Sequence, residues 1–236
     1  MILITRPREE SELLKQKLSI LGLNSIIEPL SSFKARNKKL NKLKNKTILL
    51  SSPRATKYLI KNYSLDRSTK FLIIGNSSTL LLKRANFKKI IYTSTDSKKM
   101  LKYIKNNKLL KNKNGLGKII YFTSNVRNKS FVKELNNLNI EIGILYSTIF
   151  KKKLSIETVK LIKDKKIEVC LLYSQENAKR FIDLIHQHQL TSFAMKILFL
   201  SLSKKISKII LDSGFKRSIY ARQPNQRSLI RALMKL

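Results

Sequence analysis

TILLSSPRATKYLI, residues 47–60, decides the fold. It reads as a short apolar strand, a Ser-Ser-Pro turn and then a helix. The same unit returns along the chain. KFLIIGNSSTLLLKRANF (70–87), KIIYTSTDSKKMLKYI (89–104) and KIIYFTSNVRNKSFVKELNNL (118–138) each run strand, polar turn, helix. So do EVCLLYSQENAKRFIDLI (168–185), KILFLSLSKKISKII (196–210) and SIYARQPNQRSLIRALMKL (218–236). At the start, ILIT (2–5) is a strand, Arg6-Pro7 a turn, and Leu13, Leu14, Leu18 and Leu21 recur at helical spacing until Gly22. NSIIEPL (24–30) and IEIGILYSTIF (140–150) are two further strand candidates. Strands alternating with helices predict α/β layers around mainly parallel sheets, and apolar runs such as FLIIG and VCLLY fit strands covered on both faces.

The units repeat in order as two sets. SSPRATKYL resembles SQENAKRFI, IIGNSSTLL resembles FLSLSKKIS, and IYTSTDSKKMLKYI resembles IYARQPNQRSLIRAL. The partner of IYFTSNVRNKSFVKEL is the N-terminal ILITRPREESELLKQKL. Two similar α/β halves follow, one built from both ends of the chain with the other inserted. The expected domains are 1–32 with 151–236, and 33–150. The crossing segments fall near 30–35 and 146–152.

The 236 residues are enough for one large or two small domains, and an apolar fraction of 42% is enough for packed cores. One cysteine excludes a disulfide framework and a cysteine-based zinc site. No stretch approaches the ~20 apolar residues of a spanning helix. Ile2-Leu3-Ile4 meets Arg6 and Arg8 too early for a secretory signal, so the expectation is a cytoplasmic protein with no membrane association. Fifty Lys+Arg against 14 Asp+Glu give a formal net charge of +36. Such an excess points to polyanions. Yet the lysines are spread over the whole chain with much Asn and Ile, the signature of an A/T-rich coding bias. The densest run, 34–46, reads as a solvated helix or loop, so no specific nucleic-acid partner is expected.

Small polar residues collect where strands give way to helices: Thr5, Ser51-Ser52, Asn76-Ser77-Ser78, Thr93-Ser94, Thr123-Ser124-Asn125, Ser174 and Ser201/Ser203. That is the ligand edge of an open α/β sheet. Each such residue serves as a helix N-cap. Two such edges facing each other would also form a cleft of donors suited to an anion with several carboxylates. Neither G-x-G-x-x-G nor a P-loop occurs. His186 and His188, the two histidines, sit together in IHQHQ with no nearby carboxylate, which disfavours a metal site or a Ser-His-Asp triad. Cys170 lies inside an apolar strand and reads as core.

The ordered succession ILITRP…LG…P (2–29), LLSSPRA (49–55), IIGNSST (73–79), TSNVR (123–127), ILYSTIF (144–150), LLYSQENAKRF (171–181) and YARQPNQRSLIRAL (220–233) resembles the uroporphyrinogen-III synthase family over nearly the whole chain. The resemblance implies two similar α/β domains, flavodoxin-like or Rossmann-like in their layers, joined by a two-stranded linker, with the first discontinuous and an active-site cleft between them. It implies a lyase of heme biosynthesis that takes hydroxymethylbilane, a linear octacarboxylate tetrapyrrole. The terminal hydroxyl leaves as water, ring D is inverted and the macrocycle closes, with no metal or other cofactor, on a monomeric enzyme. Tyr146 then matches a tyrosine that assists departure of the hydroxyl. Ser52, Arg54, Asn76, Ser77, Ser78, Ser124, Ser174 and Ser203 match carboxylate-binding turns, with Arg6 and Arg127 as further contacts. The family's Gly-Pro-Thr-like turn reads Ser201-Leu202-Ser203 here. Two other classes remain open at this point: a basic nucleic-acid-binding α/β protein, and a two-lobed small-anion sensor without catalysis.

Overall fold

The computed structural model describes residues 1–36, 43, 46–106, 118–126 and 128–236. Arg127 and most of the basic run 34–46 lie outside the described residues. The chain divides into two compact units, Met1–Ser32 with Ile149–Leu236, and Phe33–Thr148.

The first unit opens with β1 (Ile2–Ile4), α1 (Arg8–Ile20) and β2 (Ser25–Ile27). β3 (Ser31–Ala35) leads out of it. The second unit follows as β4 (Lys46–Leu50), α2 (Pro53–Asn62), β5 (Lys70–Ile74), α3 (Asn76–Arg84), β6 (Ile90–Ser94), α4 (Ser97–Asn106), β7 (Lys118–Ser124) and α5 (Lys129–Asn137). β8 (Glu141–Phe150) leads back. The first unit then resumes with α6 (Ile156–Lys163), β9 (Val169–Leu172), α7 (Gln175–Gln187), α8 (Thr191–Ala194), β10 (Leu198–Ser201), α9 (Lys204–Asp212), β11 (Ser218–Tyr220) and α10 (Gln226–Leu233).

One sheet has the order β2-β1-β9-β10-β11, with each neighbouring pair parallel. The other runs β3-β8-β7-β4-β5-β6, parallel from β8 to β6. The four repeat pairs read from the sequence map β7-β4-β5-β6 onto β1-β9-β10-β11, and the structure adds β8 and β2 at matching places. The chain therefore builds one sheet order twice and enters it at a different strand each time.

Period-two alternation gives each sheet two cores. Leu3, Cys170, Leu172 and Phe199 pack under α6, α7 and α9, while Ile4, Leu171 and Leu200 pack under α1 and α10. In the second sheet Ile48, Leu50 and Ile73 pack under α2 and α3, and Leu49, Leu72 and Tyr121 pack under α4 and α5. Helices end by a shared device. Gly22, at φ 73°, closes α1 as Leu23 N–H returns to Leu18 C=O. Asn86 and Asn139 take the same left-handed place after α3 and α5.

β3 falls in the crossing segment expected near 30–35, yet SSFKA has one buried position and no apolar run of its own. Its pairing comes from β8. Lys151 N–H donates to Leu30 C=O and Arg36 N–H to Leu145 C=O, so the two strands run antiparallel at the sheet edge. On the other side of β8, Gly143 lies opposite Phe122. A Cβ built there would meet the Phe122 ring at 2.3 Å, and Phe122 is fully buried. Only a residue without a side chain fits.

Glu28, 1% exposed, fixes the chain on either side of this edge. Its carboxylate accepts from Lys151 Nζ, from Ser155 N–H at 3.2 Å, from Ser155 Oγ and from Thr158 Oγ1 at 2.6 Å. Arg180 adds bonds to the carbonyls of Lys151 and Lys152. Burial alone would push the Glu28 carboxyl up. The bonds from Lys151, Ser155 and Thr158 outweigh it and hold the carboxyl below the usual range.

Two outcomes follow. Gly143→Ala loses about 1–3 kcal/mol of unfolding free energy in urea melts, the usual cost of overpacking. Glu28→Gln loses about 1–3 kcal/mol at neutral pH, because buried donors are left unmatched. Since the folded carboxyl sits low, its contribution is full above the ordinary carboxylate range and disappears as pH falls through the folded value. Melts against pH therefore show a shallower acid limb for Glu28→Gln than for wild type.

Candidate active site

In a parallel sheet the strand order reverses at one place, and ligands bind outside the carboxyl ends there. In the second unit that place lies between β4 and β7. A cavity of about 310 Å³ opens at it, lined by Ser51 and Ser52 after β4, Tyr121, Thr123 and Ser124 on β7, and Tyr146 on β8. Asn128 and Phe131 close it from the α5 side.

Tyr146 is brought there by a bulge. β7 and β8 pair Thr123 with Ile144 but Ser124 with Tyr146, so one residue of β8 is skipped. Leu145 and Tyr146, which would face opposite sides of a regular strand, enter the same core. The Tyr146 ring is 5% exposed and packs edge-on to Phe33, with centroids 5.6 Å apart, and against Tyr58 at 5.9 Å. Its hydroxyl takes no hydrogen bond among the described residues. The ring is thus held while the phenol end remains available to the cavity it lines. Arg54 stacks its guanidinium 3.6 Å over the other partner ring, Phe33.

The remaining expected residues divide by how their polar groups are used. Ser52 caps α2, accepting from Ala55 N–H at 3.4 Å. Ser124 donates to Val126 C=O at 2.6 Å and shapes its own turn. Asp96 caps α4 through Lys99 N–H, a bond that holds its carboxyl below the usual range, and Asn128 caps α5 through Phe131 N–H. α3 differs. Gly75 holds the N-cap place and has no side chain to cap with, so Asn76 and Ser77 stand exposed in an open first turn. Ser78 follows, fully buried, with its hydroxyl unpartnered.

The equivalent reversal in the first unit lies between β1 and β9. Arg6, just beyond β1, donates to Gln226 Oε1 at 2.8 Å, pairs with Glu10 and lies 4.4 Å over the Tyr173 ring. Tyr173, just beyond β9, has a buried hydroxyl, and burial pushes it up to about 12 against the opposing charge of Arg6. Ser174 caps α7 through Asn177 N–H at 3.2 Å, and Asn225 caps α10 through Ser228 N–H. Ser203 stands at the N-cap of α9 but its hydroxyl makes no capping bond. Among the described residues four helices lack a side-chain cap, α1, α3, α8 and α9, and of these α3 and α9 are partners in the repeat. Arg127 lies outside the described residues.

The sequence placed Ser51 among the polar residues of the ligand edge without a role of its own, and passed over Tyr121. Tyr121 sits inside the apolar run IIYF and carries no signal of its own. Among the described residues no His, Cys, Asp or Glu cluster could hold a metal ion, and no helix is long and apolar enough to cross a membrane. Cys170 is buried, and burial pushes its thiol up. His188 accepts from Leu154 N–H at 3.1 Å, and His186 stacks on Phe215.

Parallel sheets with polar turn residues at their reversal points define a two-unit α/β protein whose candidate ligand edges are the carboxyl ends of its strands. The family model for uroporphyrinogen-III synthase HemD matches residues 12–231. The chain belongs to the uroporphyrinogen-III synthase family, lyases of tetrapyrrole (heme) biosynthesis acting on a small-molecule tetrapyrrole. Among solved structures, it is similar in fold to uroporphyrinogen-III synthetase from Helicobacter pylori. The identity is 12%, coverage 99% of this chain and 98% of that one, and the TM-score 0.66. A mutant uroporphyrinogen III synthase from the extremely thermophilic bacterium Thermus thermophilus is similar at 10% identity, 100% and 98% coverage, and TM-score 0.64. No curated protein sequence matches the chain.

The capping geometry separates two kinds of serine. Ser52→Ala and Ser174→Ala each lose about 1 kcal/mol in urea denaturation, the ordinary worth of an N-cap. Ser203→Ala stays within about 0.5 kcal/mol of wild type.

Proposed function

We propose that the chain closes hydroxymethylbilane at the β4/β7 edge, with Tyr146 aiding loss of the terminal hydroxyl. The observation that carries this reading is a buried tyrosine ring whose hydroxyl has no partner among the described residues and borders a cavity. As the C–O bond of the hydroxymethyl group breaks, the pyrrole nitrogen lone pair moves into a ring C=N bond and a ring π pair shifts to form the exocyclic C=C bond. Negative charge gathers on the departing oxygen, which leaves as water once protonated. A phenol beside that oxygen donates to it more strongly in the transition state than in the ground state. The cavity, at the small end of ligand sites, suits one substituted pyrrole rather than the whole tetrapyrrole.

The other pyrroles carry carboxylates. The open N-termini of α3 and α9, at Asn76-Ser77-Ser78 and Ser203, offer free N–H groups with the positive end of a helix dipole. Arg54 and Arg6 add guanidinium charge, and the turns of Ser52, Ser124 and Ser174 shape the same edges. Arg127 completes the set of contacts in this reading. The domains of the reading are 1–32 with 151–236, and 33–150, each supplying donors. Ring inversion demands orientation of a reactive chain rather than a nucleophile, so fixed donors suffice and no cofactor is called for. We read the enzyme as a cytoplasmic monomer.

The test supplies freshly generated hydroxymethylbilane and resolves the oxidised products. Wild type gives predominantly isomer III; isomer I at the rate without protein defeats the reading. Tyr146→Phe lowers kcat about ten- to hundredfold, the worth of one hydrogen bond to a partly charged oxygen, with its melting temperature preserved. Full activity in that variant removes Tyr146 from the mechanism.

A further inference from the structure

Ser51 and Tyr121 face the same cavity and share a hydrogen bond of 2.5 Å between their hydroxyls. Tyr121 is 3% exposed, on the α4/α5 face of the sheet, and its ring meets Phe131 edge-on with centroids 5.4 Å apart. Ser51 is half-buried at the end of β4. Neither hydroxyl has another partner among the described residues. Each has one proton to give and lone pairs to receive. The two protons cannot both lie in the shared bond, so one of them points elsewhere. A phenol is the stronger acid, and Tyr121 is the more deeply buried of the two. Distance alone leaves either hydroxyl as donor, and acidity and burial favour the phenol, because a buried hydroxyl proton without an acceptor is costly. With the phenol as donor, Ser51 accepts and its own proton is free to turn into the cavity. A hydroxyl that already accepts a hydrogen bond is the stronger donor.

We propose that Tyr121 is a positioning residue for substrate binding: through the 2.5 Å bond it directs the Ser51 hydroxyl as a donor to a substrate carboxylate in this cavity. The proposal rests on the reading that the cavity receives part of hydroxymethylbilane. It concerns binding of the acidic substituent, where Tyr146 concerns the leaving hydroxyl. A positioned donor to a carboxylate acts on ground and transition states alike, so its loss appears in KM rather than in kcat.

The experiment compares wild type, Tyr121→Phe, Ser51→Ala, the double variant and Ser51→Thr in steady-state isomer III formation, with thermal melts beside each. Tyr121→Phe keeps the ring and its contact with Phe131. Expected are a rise in KM of about tenfold in each of Tyr121→Phe and Ser51→Ala, with kcat changed less than about twofold. The double variant is no worse than Ser51→Ala alone, because the two hydroxyls act as one donor. Ser51→Thr, which keeps the hydroxyl, holds KM near wild type. An unchanged KM in Tyr121→Phe, with or without a lowered melting temperature, overturns the proposal, as do KM effects that multiply in the double variant. Should Tyr121→Phe fail to fold, an unchanged KM in Ser51→Ala overturns it equally. Absence of isomer III from wild type defeats the proposed function itself. Isomer III from wild type with an unaltered KM in the variants defeats the Ser51–Tyr121 pair alone.

Discussion

Parallel pairing forbids a tight hairpin, so the chain must cross over a helix before the next strand can join. Every crossover leaves the carboxyl end of a strand and enters a helix by its N-terminus, after one to four residues. That one constraint gathers turn residues and free helix N–H groups along a single edge of each sheet. Ser52, Asn128, Ser174 and Asn225 spend their side chains on capping. Gly75 cannot, and Ser203 does not. The same edge thus holds closed helix ends, which fix the scaffold, beside open ones, which suit an anion. Tyr146 reaches that edge because β8 bulges where it passes Ser124.

The two sheets share one strand order, entered at different points. In the second unit β4 to β8 arrive in sequence. In the first, β1 and β2 arrive before the other unit and β9 to β11 after it, so β1 pairs β9 with Leu3 opposite Cys170. Thr5 Oγ1 donating to Leu171 C=O at 2.6 Å ties the same two strands at their carboxyl ends. Closing so long a loop costs entropy that only a well-made sheet can offset. The first unit accordingly carries a fully buried core of Leu3, Cys170, Phe181, Phe199 and Phe215 on one face, and the Glu28 cluster beside the chain's exit and return. Glu28 accepts from a charged ammonium, two hydroxyls and a backbone N–H, which is what allows a carboxylate to stay ionised in so dry a place.

The layers were legible because strand and helix signals are local. The run LLSSPRA contains strand, turn and helix start, and the order of such runs carried the repeat and the family. The bulge at Leu145, the need for Gly143 and the Ser51–Tyr121 bond were not legible. Each depends on a cross-strand partner that no local pattern names: Gly143 is required by the ring of Phe122, and Tyr121 becomes polar in effect only because Ser51 lies across the β4–β7 pair. β3 was legible only as a crossing segment, since SSFKA is a strand only because β8 offers it an edge. Asn76 shows the converse. Its residue type suggested a cap, but the positive φ of Gly75 starts the helix one residue earlier and leaves Asn76 inside it. The role of Arg6 was half legible: the guanidinium stands at the expected edge and pairs with Glu10 in the adjoining turn, but its bond to Gln226 comes from a helix remote in sequence.

Whether the chemistry takes place beside Tyr146 is decided most directly by a crystal structure with uroporphyrin III, the oxidised product, bound. The predicted result is one pyrrole ring in the β4/β7 cavity next to the Tyr146 hydroxyl, with carboxylates on the first turn of α3. A product seated away from the carboxyl edges of the sheets, with that cavity empty, contradicts it.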